Sequence, residues 1–280
     1  MKGMICLDID GTMTADPYHI PKEVISYLSD LFDQGWRFVL ITGRMYSFAW
    51  KVVKEIPFPY FLALQNGADL LLMPQKQLVV RQYIPSSFTL HLEEIGRGCK
   101  EDFLIYRGVD LGDSCYVRSS RFSPKMRLHL DKVRTLSEVP WEEVEEFSFA
   151  EGEEFSLIKG FGTKEEMKKL CYLLSSRQDV SASMTKDPLA EDVYLCLMTA
   201  PQATKGRIVH FLRQLLQEET LFIGAGDDYN DLPLLQEVDV RIAMKNSPQA
   251  LLDLADVVAE PASALGIINA LQEVIRRGTV

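Results

Sequence analysis

The feature that most constrains this chain is a short apolar run near its beginning that ends in two closely spaced carboxylates. Residues 4–7, Met-Ile-Cys-Leu, predict a fully buried parallel strand, and Asp8 and Asp10 follow it. Because side chains alternate along an extended chain, both carboxylates can face the crevice beyond the strand, and Gly11 permits a sharp turn after them. The pair indicates metal-assisted chemistry with one nucleophilic and one proton-shuttling carboxylate. A solvated acidic turn is the simpler alternative.

A second polar group follows residues 37–41, which also predict a strand. Thr42, Gly43 and Arg44 offer a hydroxyl, a permissive backbone and a guanidinium where that strand ends. This combination suits an anion such as phosphate, although many strands end in Thr-Gly and the segment alone is a weak indication.

Lys205 precedes a stretch in which Ile208, Phe211, Leu212 and Leu215 have helical spacing. The lysine therefore lies near the beginning of a helix, where a positive charge is mildly unfavourable. A lysine there is usually solvated, but the electrostatic conflict favours a functional reason for it.

The densest acidic segment, residues 226–231, reads Gly-Asp-Asp-Tyr-Asn-Asp and follows a predicted strand at residues 221–224. Asp227, Asp228 and Asp231 would repel one another without a cation, and a hard divalent ion such as Mg²⁺ is the natural compensation. Capping of the next helix would explain one of these aspartates but hardly all three.

These four segments, in this order, resemble the four motifs of the haloacid dehalogenase superfamily, and in particular its Cof-type (IIB) phosphatases. Two further segments resemble the same branch: Gln-Asn-Gly-Ala at residues 65–68, and Ala-Met-Lys-Asn-Ser at residues 243–247 followed by Ala-Asp-Val-Val at residues 255–258. The resemblance covers the whole chain, with a weakly matching middle. The ordered set is specific, whereas no single motif would be.

The resemblance implies a phosphatase that forms an aspartyl-phosphate. Asp8 would attack phosphorus, and Asp10 would protonate the leaving oxygen and then activate water. Mg²⁺ would be held by the Asp8 carboxylate, the Asp10 carbonyl and the Asp227 carboxylate, with Asp231 orienting a metal-bound water. Lys205 would neutralise charge on Asp8 and on the phosphate.

The resemblance also implies which residues bind the substrate, a small phosphorylated metabolite such as a phosphosugar. Thr42 and the Gly43 N–H would hold phosphate oxygens, Arg44 would add positive charge, and Asn66 and Asn230 complete the predicted set. A dehalogenase would lack Asp10 and is set aside. A phosphomutase or phosphotransferase of the same superfamily, or a non-catalytic protein that binds a phosphometabolite, stays open as an alternative.

The alternation of predicted strands and helices indicates an α/β fold with a Rossmann-like, doubly wound parallel-sheet core. An inserted α+β domain interrupts this core, and the resemblance implies that the insertion is a cap domain. The core would comprise residues 1–82 and 193–280, and the cap residues 83–192. Helices are expected at residues 21–34, 46–54 and 163–174. The acidic residues 141–154 are expected to form a solvated helix and turn. Four basic residues of the cap could reach an anionic substrate, but a solvated surface is favoured for them: Arg118, Arg121, Lys125 and Arg127.

The composition narrows the partners. A formal net charge of −10 argues against nucleic acid, which calls for a basic face. No apolar stretch is long enough to span a bilayer, so no membrane partner is expected. The five dispersed cysteines suggest neither a disulfide framework nor a zinc site, which favours a cytoplasmic location. No obligatory protein partner is evident.

Overall fold

The strand that bears the first motif lies in the middle of an eight-stranded sheet in the computed structural model, which describes residues 1–137, 139–187, 189–216 and 220–278. The strands of the described chain are β1 (Gly3–Asp8), β2 (Trp36–Ile41), β3 (Tyr60–Leu64), β4 (Asp69–Met73), β5 (Gln77–Arg81), β6 (Ile84–Pro85), β7 (Phe103–Tyr106), β8 (Cys115–Val117), β9 (Trp141–Glu143), β10 (Glu154–Phe155), β11 (Leu157–Gly162), β12 (Ser181–Lys186), β13 (Tyr194–Thr199), β14 (Phe222–Gly226), β15 (Val240–Met244) and β16 (Val257–Ala259). The helices are α1 (Lys22–Asp33), α2 (Tyr46–Val53), α3 (Leu92–Ile95), α4 (Pro124–Ser137), α5 (Lys164–Leu174), α6 (Lys205–Leu216), α7 (Leu232–Glu237), α8 (Gln249–Leu252) and α9 (Gly266–Arg277).

The core sheet has the strand order β16-β15-β14-β1-β2-β3-β4-β5. Strands β16 to β3 are parallel, and β4 and β5 extend the sheet antiparallel. All six residues of β1 are buried, because Ile5 and Leu7 pack on one face of the sheet while Met4 and Cys6 pack on the other. A strand with helices on both faces reads as a continuous apolar run, as predicted for residues 4–7.

The helices lie on both faces of this sheet. Helices α1 and α9 contribute Leu28 and Leu271 to the cluster on one face, and α6 and α7 contribute Leu212 and Leu234 to the cluster on the other. The doubly wound core is therefore confirmed. Helix α1 lies within the predicted residues 21–34, and α2 ends one residue before the predicted limit.

The inserted part forms a second sheet of order β12-β13-β11-β7-β8-β9, in which all neighbouring strands are antiparallel except β8 and β9. Helix α5 packs on one face of this sheet and α4 on the other. This is the expected α+β insertion, and we call it the inserted unit. Strands β6 and β10 form a separate two-stranded sheet beside it.

Two expectations for the insertion need correction. The predicted return to the core at residue 193 is too early, because β13 pairs with β11 and β12 in the second sheet. The helix predicted within residues 141–154 is wrong: the segment begins as β9, which pairs with β8, and continues without helix to β10. Trp141 is buried there and donates from Nε1 to the Ser137 Oγ, a tertiary contact that local acidity does not reveal.

Helix α5 offers a test of local stability in the inserted unit. The Thr163 Oγ1 accepts from the Glu166 N–H, and the Glu166 carboxylate accepts from the Thr163 N–H, so the first turn is capped in both directions. We expect Thr163→Ala to lower the free energy of unfolding by about 1 kcal/mol, measured by urea denaturation. The control is Thr135→Ala in α4, whose hydroxyl only donates to the Asp131 carbonyl of its own helix. An equal loss in both variants would contradict the capping role.

Candidate active site

Asp8 is placed by the sheet itself, as the last residue of the central strand β1. Its side chain is almost completely buried at the carboxyl edge of the sheet, where β14 and β2 lie on either side. Its Oδ1 atom accepts a hydrogen bond from the Lys205 Nζ at 2.6 Å. The two residues are far apart in sequence, so only the convergence of β1 and the beginning of α6 brings them together.

Lys205 is the first residue of α6, and its ammonium is fully buried. Nζ lies 2.6 Å from the Asp8 Oδ1 and 2.6 Å from the Asp231 Oδ1. Burial lowers the pKa of Lys205, but Asp231 and Asp8 together outweigh it, and the net change is upward. The predicted conflict between a lysine and a helix N-terminus is therefore resolved by two carboxylates.

Gly206 explains how Lys205 can lie so deep. A Cβ atom at this position would lie 2.3 Å from the backbone oxygen of Pro233 in α7. Only glycine therefore lets the beginning of α6 approach the α7 backbone so closely.

In the acidic loop after β14, two aspartates accept hydrogen bonds that stabilise the loop, and the third has no such structural role in the part of the chain that the structure describes. The Asp231 Oδ2 accepts from the backbone N–H groups of Asp227 and Asp228, and the Asp228 side chain accepts from the Tyr229 N–H. Capping thus accounts for Asp228 and for part of Asp231, which is more than the single aspartate allowed for it above. Asp227 is left with its carboxylate directed toward the site, beside Asp8.

Asp8, Asp227 and Asp231 form a cluster in which one carboxylate oxygen from each lies within 4.8 Å of the others. Burial raises the pKa of Asp8 well above its ordinary value, with Lys205 opposing the change and Asp231 adding to it. Burial and Asp231 raise the pKa of Asp227 to about 8. The cluster holds three carboxylates beside one ammonium, which pairs with two of them, so with all groups ionised it retains two negative charges.

The cluster fits a divalent cation. The donors are hard carboxylate oxygens, which suit Mg²⁺ or Ca²⁺, and one divalent ion would balance the two residual charges. Gly11 leaves room for the arrangement: its φ is +79°, and a Cβ atom there would lie 2.0 Å from the Asp227 Oδ2. The Asp10 carboxylate is not a member of the cluster, so of Asp10 only the backbone carbonyl stays a candidate ligand.

The Asp10 carboxylate instead binds Arg44. The Arg44 Nε donates to the Asp10 Oδ2 at 2.7 Å, a second bond joins Nη2 to Oδ1, and Nη1 donates to the Pro17 carbonyl at 2.8 Å. This geometry differs from the predicted phosphate contact of Arg44. The guanidinium is engaged by Asp10 and the Pro17 loop, and the residue positions Asp10 rather than lying open to an anion.

The other predicted substrate ligands converge on the same edge. The Thr42 Oγ1 accepts from the Arg44 N–H at 3.0 Å, which fixes the turn after β2. The Asn230 Nδ2 donates to the Asn66 Oδ1 at 3.3 Å. Gly43 faces the inserted unit, because a Cβ atom there would lie 3.3 Å from the Leu197 Cδ1.

A cavity of about 330 Å³ lies between the core edge and the second sheet. Of the predicted residues, six line it: Asp8, Asp10, Gly43, Arg44, Asp227 and Asn230. Thr42, Asn66, Lys205 and Asp231 lie behind this lining. The sequence reasoning missed the contribution of the inserted unit, which includes Lys159, Thr185 and Asp187. A signal existed for Lys159, since it is the one charged residue in β11.

The four cap cations named in the sequence analysis lie elsewhere. Arg118 is buried and bound to Asp102 through two hydrogen bonds of 2.8 Å and 2.6 Å, and Arg121 binds Glu93 at the surface. Lys125 and Arg127 are exposed on α4. None of the four lines the cavity. The favoured solvated surface agrees with Arg121, Lys125 and Arg127, but it is wrong for Arg118, which is buried in its ion pair with Asp102.

The chain matches the family model of haloacid dehalogenase-like hydrolases over residues 5–271. It belongs to that family. The expected hydrolase enzyme and the expected superfamily are thereby confirmed.

Individual relatives are distant. A Bacillus subtilis protein named "Putative phosphatase YxeH" is 24% identical, with 98% of this chain and 99% of that protein covered. A phosphoglycolate phosphatase of Sulfurisphaera tokodaii is 26% identical, but the match covers only 27% of this chain and 34% of that protein. A solved sugar phosphatase of subclass IIB has a TM-score of 0.75 at 19% identity, with 97% of this chain and 98% of that chain covered, which supports the fold. Among the described helices, none is both long and apolar enough to cross a membrane.

The buried lysine generates a stability prediction. Lys205→Met leaves Asp8 and Asp231 as buried anions without their shared cation, and we expect it to lower the free energy of unfolding by about 3–5 kcal/mol. Denaturation in chelator measures the loss. The double variant Lys205→Met/Asp231→Asn should recover part of it, because one uncompensated charge is removed. Additive losses in the double variant would contradict the shared-cation arrangement.

Asp227 generates a pH prediction for the metal-free protein. Its pKa is about 8 in the fold against an ordinary 3.8, so the unfolded chain releases this proton first as pH rises. Its contribution to stability is fully present below pH 3.8 and is lost progressively up to about pH 8. We therefore expect Asp227→Asn to reduce the fall in unfolding free energy between pH 5 and pH 8, measured with chelator. The control is Asp253→Asn, which changes a surface aspartate of the same domain and should leave that fall in unfolding free energy unchanged.

Proposed function

We propose that this protein hydrolyses small phosphate monoesters through an aspartyl-phosphate on Asp8, with Mg²⁺ as cofactor. The observation that supports this most directly is the 2.6 Å contact of Lys205 with Asp8 beside Asp227, at the edge of the cavity. The Lys205 ammonium holds the Asp8 Oδ1, which fixes the orientation of the carboxylate. Among the described residues no donor contacts Oδ2, so this oxygen is free to attack phosphorus.

Asp10 is the candidate proton carrier because it follows Asp8 by two residues and lines the same cavity. In the proposed reaction it gives a proton to the leaving oxygen and later takes one from the water that hydrolyses the intermediate. Arg44 orients this carboxylate through two hydrogen bonds, and through its third contact it ties Asp10 to the loop at Pro17.

The proposed metal ligands are the carboxylates of Asp8 and Asp227 and the backbone carbonyl of Asp10, with Asp231 behind them. When bound, Mg²⁺ would offset the repulsion between an anionic nucleophile and the phosphate. Asp231 already accepts hydrogen bonds from two backbone N–H groups and from Lys205, so its role is to hold the loop and the lysine.

The Gly43 N–H and Asn230, which line the cavity, are the proposed phosphate contacts, and Thr42 and Asn66 are proposed as further members of the set directly behind them. The inserted unit acts in this proposal as the cap that selects the alcohol part of the ester, because it closes the cavity opposite the carboxylates. A cavity of about 330 Å³ favours a small metabolite over a protein or nucleic acid. The five cysteines are free thiols, which agrees with the proposed cytoplasmic location.

A phosphomutase of the same superfamily would use the same carboxylates. Water would then have to be replaced by a sugar hydroxyl as the acceptor of the phosphoryl group. A purely binding protein would not need Asp8, Asp10 and Lys205 together, and all three are present at the site.

The decisive experiment is phosphate release from a panel of small esters, with Mg²⁺ and with chelator. We expect release that requires Mg²⁺ and falls by at least about 10³-fold in Asp8→Asn, because the nucleophile is lost while size and shape are kept. Asp253→Asn is the matched control and should keep full activity. Release that persists in Asp8→Asn would exclude Asp8 as nucleophile, and phosphoryl transfer only to added sugars would favour the mutase.

A further inference from the structure

The second sheet presents one face to the cavity. Where its neighbouring strands β7, β11 and β13 line the cavity, that face is apolar apart from Lys159 and the Tyr106 hydroxyl, whereas the edge strand β12 adds the hydroxyl of Thr185. Because side chains alternate along β11, Leu157, Lys159 and Phe161 share this face. The residues paired directly with Lys159 across the sheet are Leu104 in β7 and Leu197 in β13. An ammonium therefore occupies a position where packing would favour an aliphatic side chain.

Lys159 has no carboxylate within ion-pair distance in the part of the chain that the structure describes. Its Nζ lies 5.0 Å from the centroid of the Tyr106 ring, which offers a cation–π contact but no opposite charge. Asp187 is the acidic group that acts on it through space, but that carboxylate lies 3.0 Å from the His129 Nε2 and accepts from the Leu189 N–H at 2.7 Å. Burial lowers the pKa of Lys159, and Asp187 only partly opposes this.

A partly buried cation in an apolar surface with no carboxylate beside it is costly for the free protein, because the Tyr106 ring alone compensates the desolvation of its charge. Such a cost is typical of a binding site, where a ligand supplies the missing charge. The ligand must come from the cavity, since Lys159 and the catalytic carboxylates line the same space.

We propose that Lys159 binds a second anionic group of the substrate, so that the enzyme prefers phosphate monoesters that also carry a carboxylate or another phosphate. One end of such a ligand lies at Asp8 and the core edge, and its other charged end lies against the second sheet. This inference rests on the proposed function for the identity of the first group, the reacting phosphate. The assignment of the second anionic group depends on Lys159 alone.

The test compares esters that differ in the second group alone. One pair is 2-phosphoglycolate and 2-hydroxyethyl phosphate, and another is a hexose bisphosphate and the matching hexose monophosphate. We expect Lys159→Met to lower kcat/KM by about tenfold to a hundredfold for the ester of the preferred pair that carries a second anionic group. For the ester that carries the phosphate alone, kcat/KM should change by less than about threefold. Which of the two pairs shows this loss tells whether the second anionic group is a carboxylate or a phosphate.

Two variants control for general damage. Lys168→Met makes the same chemical change at an exposed position of α5, a helix that packs on the opposite face of the second sheet. It should leave kcat/KM for both members of each pair unchanged. Lys159→Arg keeps the charge and should retain part of the preference. An equal loss for both members in Lys159→Met, or no preference in the unaltered enzyme, would overturn the assignment.

Two further measurements separate this inference from the proposed function. Calorimetric titration of Asp8→Asn with 2-phosphoglycolate or the bisphosphate tests binding without turnover, and the double variant Asp8→Asn/Lys159→Met should bind at least about tenfold more weakly. If no ester is hydrolysed but this difference remains, the phosphatase proposal fails and Lys159 stands as an anion site. Without ligand, Lys159→Met should also melt at a higher temperature than the unaltered protein. A lower melting temperature would show that the ammonium has a structural partner and would overturn the proposal.

Discussion

The site depends on one buried ammonium shared by two carboxylates. Lys205 joins the end of β1, the beginning of α6 and the loop after β14, since its Nζ contacts Asp8 and Asp231 at 2.6 Å each. Asp231 in turn accepts from the backbone of its own loop, so the position of Asp227 is coupled to the same lysine. Three segments that are distant in sequence are thereby fixed relative to one another without a ligand.

This arrangement leaves a deliberate imbalance of charge. One ammonium cannot compensate three carboxylates in a buried cluster, and burial, with the charge of Asp231 added to it, raises the pKa of Asp227 to about 8. The protein would be more stable with fewer acids here, which is why a cluster of this kind indicates function rather than packing. The net charge of the whole chain has little influence on this balance, because exposed charges are screened within roughly 10 Å.

The fold of the core and the convergence of most candidate residues could be predicted from the sequence, because both follow from local rules. Apolar strands of a parallel sheet end at the same edge, so polar residues after β1, β2 and β14 had to converge, and Lys205 was conspicuous at a helix N-terminus. The pairing of Arg44 with Asp10 could not be predicted, since the choice between a ligand and a neighbouring carboxylate depends on tertiary geometry. The predicted domain boundary at residue 193 was wrong for a similar reason. Strand pairing joins residues far apart in sequence, so the residues of β13 do not reveal which of the two sheets the strand belongs to.

Lys159 shows a different limit of sequence reasoning. In the sequence it is one lysine within a strand, and lysines at strand positions usually point to solvent. Its meaning comes from β7 and β13, which place leucines on both sides of it, and from the core, which faces it across the cavity. The two ends of that cavity differ in charge. The core edge has more carboxylates than cations, and the second sheet carries an ammonium with no carboxylate within ion-pair distance among the described residues. A ligand that brings a cation-bound phosphate to the first end and an anionic group to the second would satisfy both, and neither end alone specifies such a molecule.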